Sequence, residues 1–142
     1  MRVVIASDAE GMPLKEVVKQ TLLSDGHEVV DLSETPAADF IDSAMAVAAD
    51  LNEHEGSQGI CFDAYGVGSY MAATRVKGMV AANISDERSA YMTREHNNAR
   101  MVCLGSKVVG TEVANKIARE FLKADYAAGR HQIRVDMLNK MA

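Results

Sequence analysis

Apolar and polar positions alternate in two rhythms along the chain. "RVVIASD" is a short apolar run that closes on Asp8, the pattern of a parallel strand buried on both faces. After Gly11 the period lengthens. Leu14, Val17, Val18, Thr21 and Leu22 fall on one helical face, with Lys15, Glu16, Lys19 and Gln20 away from it, and Pro13 suits the first turn. "SDGH" breaks this helix, and "EVVDLS" (28–33) reads as a second strand. "ETPAADF" is a loop before an Ala/Met-rich helix at about 40–53. "GICFD" (59–63) is a third strand, followed by a glycine loop and a short helix through Met71, Ala72 and Thr74. A fourth strand is expected over 78–85, a polar helix over 86–99 and a fifth strand over 100–106. In "GTEVANKIAREFLKA" (110–124), Val113, Ala114, Ile117, Ala118, Phe121 and Leu122 are expected to face inward. "GRHQIRVDMLNKM" (129–141) reads as a last helix.

Five strands alternating with helices predict one α/β domain: a three-layer α/β/α sandwich around a five-stranded parallel, Rossmann-like sheet. A length of 142 residues suits a single domain with an adequate core. Ligands in such folds bind beyond the carboxyl ends of the strands. Asp8, Asp63 with its glycines, Ser85–Asp86 and Gly105–Ser106 fall at those ends and are expected around one crevice.

Composition narrows the function classes. The net charge is −5 and there is no Lys/Arg run, which argues against a nucleic-acid partner. No apolar stretch approaches the roughly 20 residues of a membrane span. The chain enters its first strand at once, with no signal-peptide plan, so a cytoplasmic location is expected. Cys61 and Cys103 sit inside apolar runs and read as reduced core thiols. The four histidines show no metal-ligand spacing with them, so no metal site is expected.

Three stretches carry candidate chemistry. Gly66 and Gly68 in "CFDAYGVGSY" would let backbone N–H groups approach an anion, or simply allow a tight strand-to-helix turn. "REHNNAR" (94–100) gathers His96, Asn97 and Asn98 at a helix end, where they suit either proton transfer or a C-cap. "GRHQIR" spaces Arg130 and Arg134 at i, i+4, which on a helix gives one face for a phosphate or a solvated basic face.

Taken together, "SDAEG", "GVGS", "SDERSAYMTREHNNARMVCLG" and "GRHQIRVDMLNKM" resemble the ribose/galactose phosphate isomerase family, nearly end to end. The two long stretches resemble its heteromeric branch, which acts on galactose 6-phosphate. The resemblance implies an aldose–ketose isomerisation through an enediolate, giving tagatose 6-phosphate without metal or organic cofactor, in sites shared between two chains. It implies that His96 opens the sugar ring, that Asn97 and Asp8 bind the sugar, and that Arg130 and Arg134 bind the phosphate. Gly66 and Gly68 match the loop that stabilises the enediolate oxyanion. Two departures matter. Asp63 stands where ribose-phosphate members carry their Cys base, with Tyr65 in place of their Thr. Ala9 and Glu10 stand where a phosphate-binding His should follow Asp8. A helix N-terminus is expected to lower the Asp63 pKa further below the usual ~3.9, leaving this residue a cap at a degenerate base position. The expected partner is a homologous B-type subunit that supplies the base, in a heterotetramer, with the last helix (about 131–141) at the subunit interface. Two alternatives stay open: a self-sufficient isomerase of the ribose-5-phosphate type with Asp63 as base, and a non-catalytic sugar-phosphate-binding or scaffolding subunit.

Overall fold

A computed structural model describes residues 1–141. Its elements run β1 (Arg2–Ser7), α1 (Met12–Ser24), β2 (Glu28–Asp31), α2 (Phe40–Glu53), β3 (Gln58–Asp63), α3 (Val67–Ala73), β4 (Ala81–Asn83), α4 (Glu87–Asn97), β5 (Met101–Gly105) and α5 (Thr111–Lys123). A single 3-10 turn, Gly129–His131, then leads into α6 (Gln132–Lys140). All four strand pairings are parallel, in the order β2-β1-β3-β5-β4. The direction of winding reverses between β1 and β3, and a crevice opens beyond the carboxyl ends at such a point.

The sheet separates two apolar layers. Val3, Ile5, Ile60, Phe62, Val102 and Leu104 pack on one face with residues of α1, α4 and α5. Val4, Ala6, Cys61, Met101 and Cys103 pack on the other, against residues of α2 and α3. The two cysteines are register partners on β3 and β5, free and fully buried as expected. This is the three-layer sandwich the alternation predicts.

Several elements differ from the expectation. Strand β4 is only three residues long and lies at the sheet edge. The last helix begins with the 3-10 turn, because Ala128 and Gly129 both have positive φ and an α-helix cannot run through them. Val113 is 37% exposed; only its neighbours Ala114, Ile117, Ala118, Phe121 and Leu122 reach the core. Lys15, expected on the solvent face of α1, is wholly buried. Its ammonium donates to Asp31 Oδ2 at 2.5 Å and Glu16 Oε1 at 2.9 Å, and Lys19 reaches the same Asp31 oxygen at 3.0 Å. A helical wheel cannot reveal such a residue, since the buried carboxylate that holds it lies on another element.

Candidate active site

The loops after β1, β3 and β5 meet at the carboxyl end of the sheet. The Gly11 backbone lies so close to β3 that a Cβ there would sit 2.3 Å from the Phe62 carbonyl oxygen. Ser106 Oγ donates to the Glu10 carbonyl at 2.7 Å, and the Ser106 N–H donates to the Asp63 carbonyl at 2.9 Å. Asp8 Oδ1 accepts from the Gly11 N–H at 3.0 Å, turning the chain into α1. Asp8, Asp63, Gly66 and Gly105–Ser106 thus gather as expected. Asp86, just beyond the carboxyl end of β4, is the N-cap of α4 and accepts from the Ser89 N–H at 2.7 Å.

Asp63 is 5% exposed. One carboxylate oxygen accepts from the Gly66 N–H and the other from the Ser69 N–H at 3.2 Å. It therefore holds the first turn of α3 from three residues ahead of Gly66. The expected pKa direction is reversed. Burial pushes the carboxyl up, the nearby Asp8 charge adds to that, and the two N–H donors pull it down without winning. The helix-end argument identified the donors but not the desolvation that outweighs them.

The glycines of this loop have separate reasons. Gly66 is left-handed (φ 80°), and a Cβ on it would meet Asn83 Nδ2 at 2.4 Å. Gly68 lies under the Phe40 ring, which a Cβ would meet at 2.6 Å. Tyr65, between Asp63 and Gly66, is 59% exposed. The charged groups around the crevice are the carboxylates of Asp8, Asp63 and Glu10, with Lys107 3.5 Å from Glu10. That is a poor environment for a phosphate dianion.

The second group of candidates lies at the other end of the sheet. Helix α4 starts beyond the carboxyl end of β4 and runs back across its face. Its eleven residues rise about 16 Å, carrying His96 and Asn97 to the amino edge of the strands. There the Arg100 N–H donates to Val80 O and the Gly59 N–H to Arg100 O, both at 2.8 Å. The helix ends in a left-handed cap at Asn98, whose N–H donates to Arg94 O at 3.2 Å. The cap reading therefore consumes Asn98. His96 and Asn97 remain facing outward, Asn97 with only a 3.3 Å contact from Thr93 Oγ1.

The C-terminal segment folds onto this end. The Ala127 N–H donates to Glu95 O at 3.0 Å. The His131 ring then stacks on His96, with centroids 4.3 Å apart and planes 17° from parallel. Arg130 and Arg134 flank His131 and face solvent, and Arg134 Nη1 contacts Arg130 O at 3.5 Å. Histidine spacing alone does not single out His131; the available signal was its place between the two arginines. A cavity of about 750 Å³ opens beside this cluster, between Asn97 of α4, Leu138 of α6, Tyr70 of α3 and the free edge of β4.

The chain thus carries an acidic crevice at one end and an open imidazole–guanidinium cluster at the other. A model of the Ribose/Galactose Isomerase family matches residues 3–138. The chain belongs to that family. It is 57% identical over all 142 residues, and the full length of both chains, to the galactose-6-phosphate isomerase subunit LacA of Enterococcus faecalis. It is 52% identical to the subunit of the same name from Staphylococcus aureus, covering 99% of each chain. Among solved structures, the ribose-5-phosphate isomerase B of Clostridium thermocellum superposes with a TM-score of 0.93 at 35% identity, covering 98% of this chain and 95% of that one. The enzyme of this name from Thermotoga maritima gives 0.94 at 33% identity, covering 99% and 98%. The family resemblance of the motifs and the fold expected from the strand pattern therefore hold, and the chain is an isomerase of the aldose–ketose class. Among the described residues, no helix is long and apolar enough to cross a membrane.

Proposed function

We propose that this chain is the A-type subunit of a heteromeric galactose-6-phosphate isomerase that interconverts galactose 6-phosphate and tagatose 6-phosphate through an enediolate. The observation that carries the reading is the separation of the two groups. His96 and Asn97 stand at the amino edge of the sheet and Asp8, Asp63 and Gly66 at its carboxyl edge. One chain cannot bring them to one sugar, whereas two chains can. His96, Asn97, Arg130 and Arg134 then act on substrate held in the crevice of a homologous B-type subunit, whose glycine loop carries a Cys base. His96 opens the ring, Asn97 binds sugar hydroxyls and the arginines bind the phosphate. The partner's loop amides stabilise the enediolate oxyanion.

Charge and exposure support this arrangement. The arginine end is open and cationic, while this chain's own crevice holds carboxylates that disfavour a phosphate. Helix α6 buries only Val135 and exposes Ile133, Met137 and Leu138, an apolar face suited to a subunit contact in a heterotetramer. Such an enzyme belongs in the cytoplasm, where phosphorylated sugars are found.

The test is reconstitution. The isolated chain should have negligible galactose-6-phosphate isomerase activity, and adding the B-type subunit should restore it. His96→Ala in the complex should cost on the order of 10²–10⁴-fold in kcat on cyclic substrate. Substantial turnover by the mass-verified single chain would refute the reading. One observation favours a second reading, Asp63 as a base within this chain: burial raises its pKa, as a working carboxylate base requires. Both oxygens are nevertheless engaged by backbone N–H groups, and the carboxylate is almost fully enclosed.

A further inference from the structure

The His96–His131 stack is the side-chain contact between α4 and a turn that one backbone bond, Ala127 N–H to Glu95 O, already brings to it. His96 ends α4. His131 ends a turn that reaches it from α5 through a segment with little regular structure. Contact of this kind between two titratable rings is costly to maintain when both are charged, so its presence calls for a reason.

We propose that His131 is a positioning residue for His96: its imidazole, lying flat on the His96 ring, holds that ring in one orientation for proton transfer to and from the sugar. The proposal rests on the reading of His96 as the ring-opening group.

Three observations carry it. The first is the geometry. At 4.3 Å and 17° the rings are stacked, and the His131 ring fills the space into which His96 would swing toward the C-terminal segment. A side chain at a helix end otherwise keeps several rotamers, and a proton-transfer group off by about 1 Å can lose about 10²-fold in rate.

The second is how His131 is itself held. The Ala127 N–H bond to Glu95 O ties the incoming segment to the residue beside His96. Tyr126 Oη donates to Gln132 Oε1 at 2.8 Å, and Gln132 Nε2 donates to Asp136 Oδ1 at 2.7 Å, fixing the turn from both sides. Between these anchors Ala128 adopts φ 52°, ψ −125°, a backbone region that a Cβ disfavours. Strain of this kind persists where surroundings over-determine a conformation, and it gathers at functional sites. Here its effect is to turn His131 back onto α4.

The third is charge. The groups facing the pair are Glu95 from α4, 3.5 Å from His96 Nε2, and Arg130 and Arg134 from the C-terminal segment. Partial burial, His96 and the two arginines hold His131 below the ordinary histidine value, while Glu95 pulls the other way. The neutral form of His131 is thus favoured, and a neutral ring can lie against His96 in either protonation state of the latter. A reacting histidine needs a neighbour of this kind, since it alternates between imidazole and imidazolium.

The test uses the assembled two-subunit enzyme with cyclic galactose 6-phosphate, and variants His131→Ala, His131→Phe and His96→Ala. The His96 ring is followed by the NMR chemical shift of its Cε1–H in the full chain. His131→Ala should lower kcat by about 10- to 100-fold with little change in KM, and should move the His96 Cε1–H resonance as the stacked ring is lost. His131→Phe keeps a flat ring without a proton and should recover most of kcat. Equal losses in both variants, expressed mainly as a higher KM, would show a phosphate ligand and overturn the proposal. An unchanged rate in His131→Ala, beside an inactive His96→Ala, would overturn the proposal alone. A fully active His96→Ala would instead overturn the role of His96 on which it rests.

Discussion

Asp63→Asn separates a structural carboxylate from a catalytic one. In the wild type the two carboxylate oxygens serve the Gly66 and Ser69 N–H groups. An asparagine keeps one acceptor and turns its amide NH₂ toward the other N–H. The lost hydrogen bond to a charged acceptor is worth about 1.5–3 kcal/mol. Against this, the substitution removes a buried charge near Asp8, and the raised pKa shows that burial and Asp8 together outweigh both donors. A net loss of about 1 kcal/mol at pH 7 follows, whereas Asp63→Ala, leaving two N–H groups unpaired, should lose about 2–4 kcal/mol. The pH dependence has a definite sign. The folded-state pKa lies above the ordinary 3.8, so folding disfavours the ionised form. The penalty is full above the folded pKa and is relieved as pH falls through it toward 3.8. The wild type should therefore gain on Asp63→Asn between pH 7 and pH 4. Urea denaturation followed by far-UV circular dichroism suits a chain without Trp. The Asp63→Asn complex should also keep nearly the full isomerase rate. A gap that narrows on acidification would refute the desolvation argument, and an inactive complex would make Asp63 the base.

Two further substitutions test the scaffold. Lys15→Met leaves Asp31 with Lys19 and the Ser33 N–H, so it should lose about 2–4 kcal/mol, at the lower end for a broken buried pair. Burial pushes Asp31 up, but Lys15, Lys19 and Ser33 together hold it below 3.8. The stability it confers is present above pH 3.8 and is lost as pH falls through the lower folded value, and Lys15→Met should show a smaller acid loss when denaturation at pH 7 and pH 3 is compared. Ala128→Gly should raise stability by about 1 kcal/mol by relieving a positive-φ alanine, read as a shift in the urea midpoint; a destabilised variant would remove the strain from the account of the His131 turn.

The strand pattern was legible because parallel strands write themselves as short apolar runs, and three of the five runs end on a crevice residue, Asp8, Asp63 or Ser106. Lys15 and Val113 depart from their helical periodicity for one reason. Helical periodicity records how far a face turns from its own axis, and burial depends on what the neighbouring elements put there. Asp31 fixes Lys15 from β2, and the edge of α5 leaves Val113 half open. The pKa of Asp63 failed similarly: the donors are local and readable, whereas the enclosure that desolvates the carboxylate is built by distant segments.

The separation of the site into two ends follows from one topological fact that the sequence does contain. A helix connecting parallel strands must run antiparallel to them, so the residues at its start and at its end lie on opposite edges of the sheet. Asp86 and His96 are ten positions apart on α4, and they face opposite ends for that reason. Any chemistry that needs both a strand-end loop and a helix-end histidine must then draw them from different chains. On the proposed function, a second subunit is then a geometric requirement of the motif rather than an addition to it. On that reading it also accounts for an aspartate at position 63. Once the histidine end of this chain serves a partner's crevice, its own crevice is free to become structural, and a buried carboxylate that closes the turn into α3 is one stable outcome.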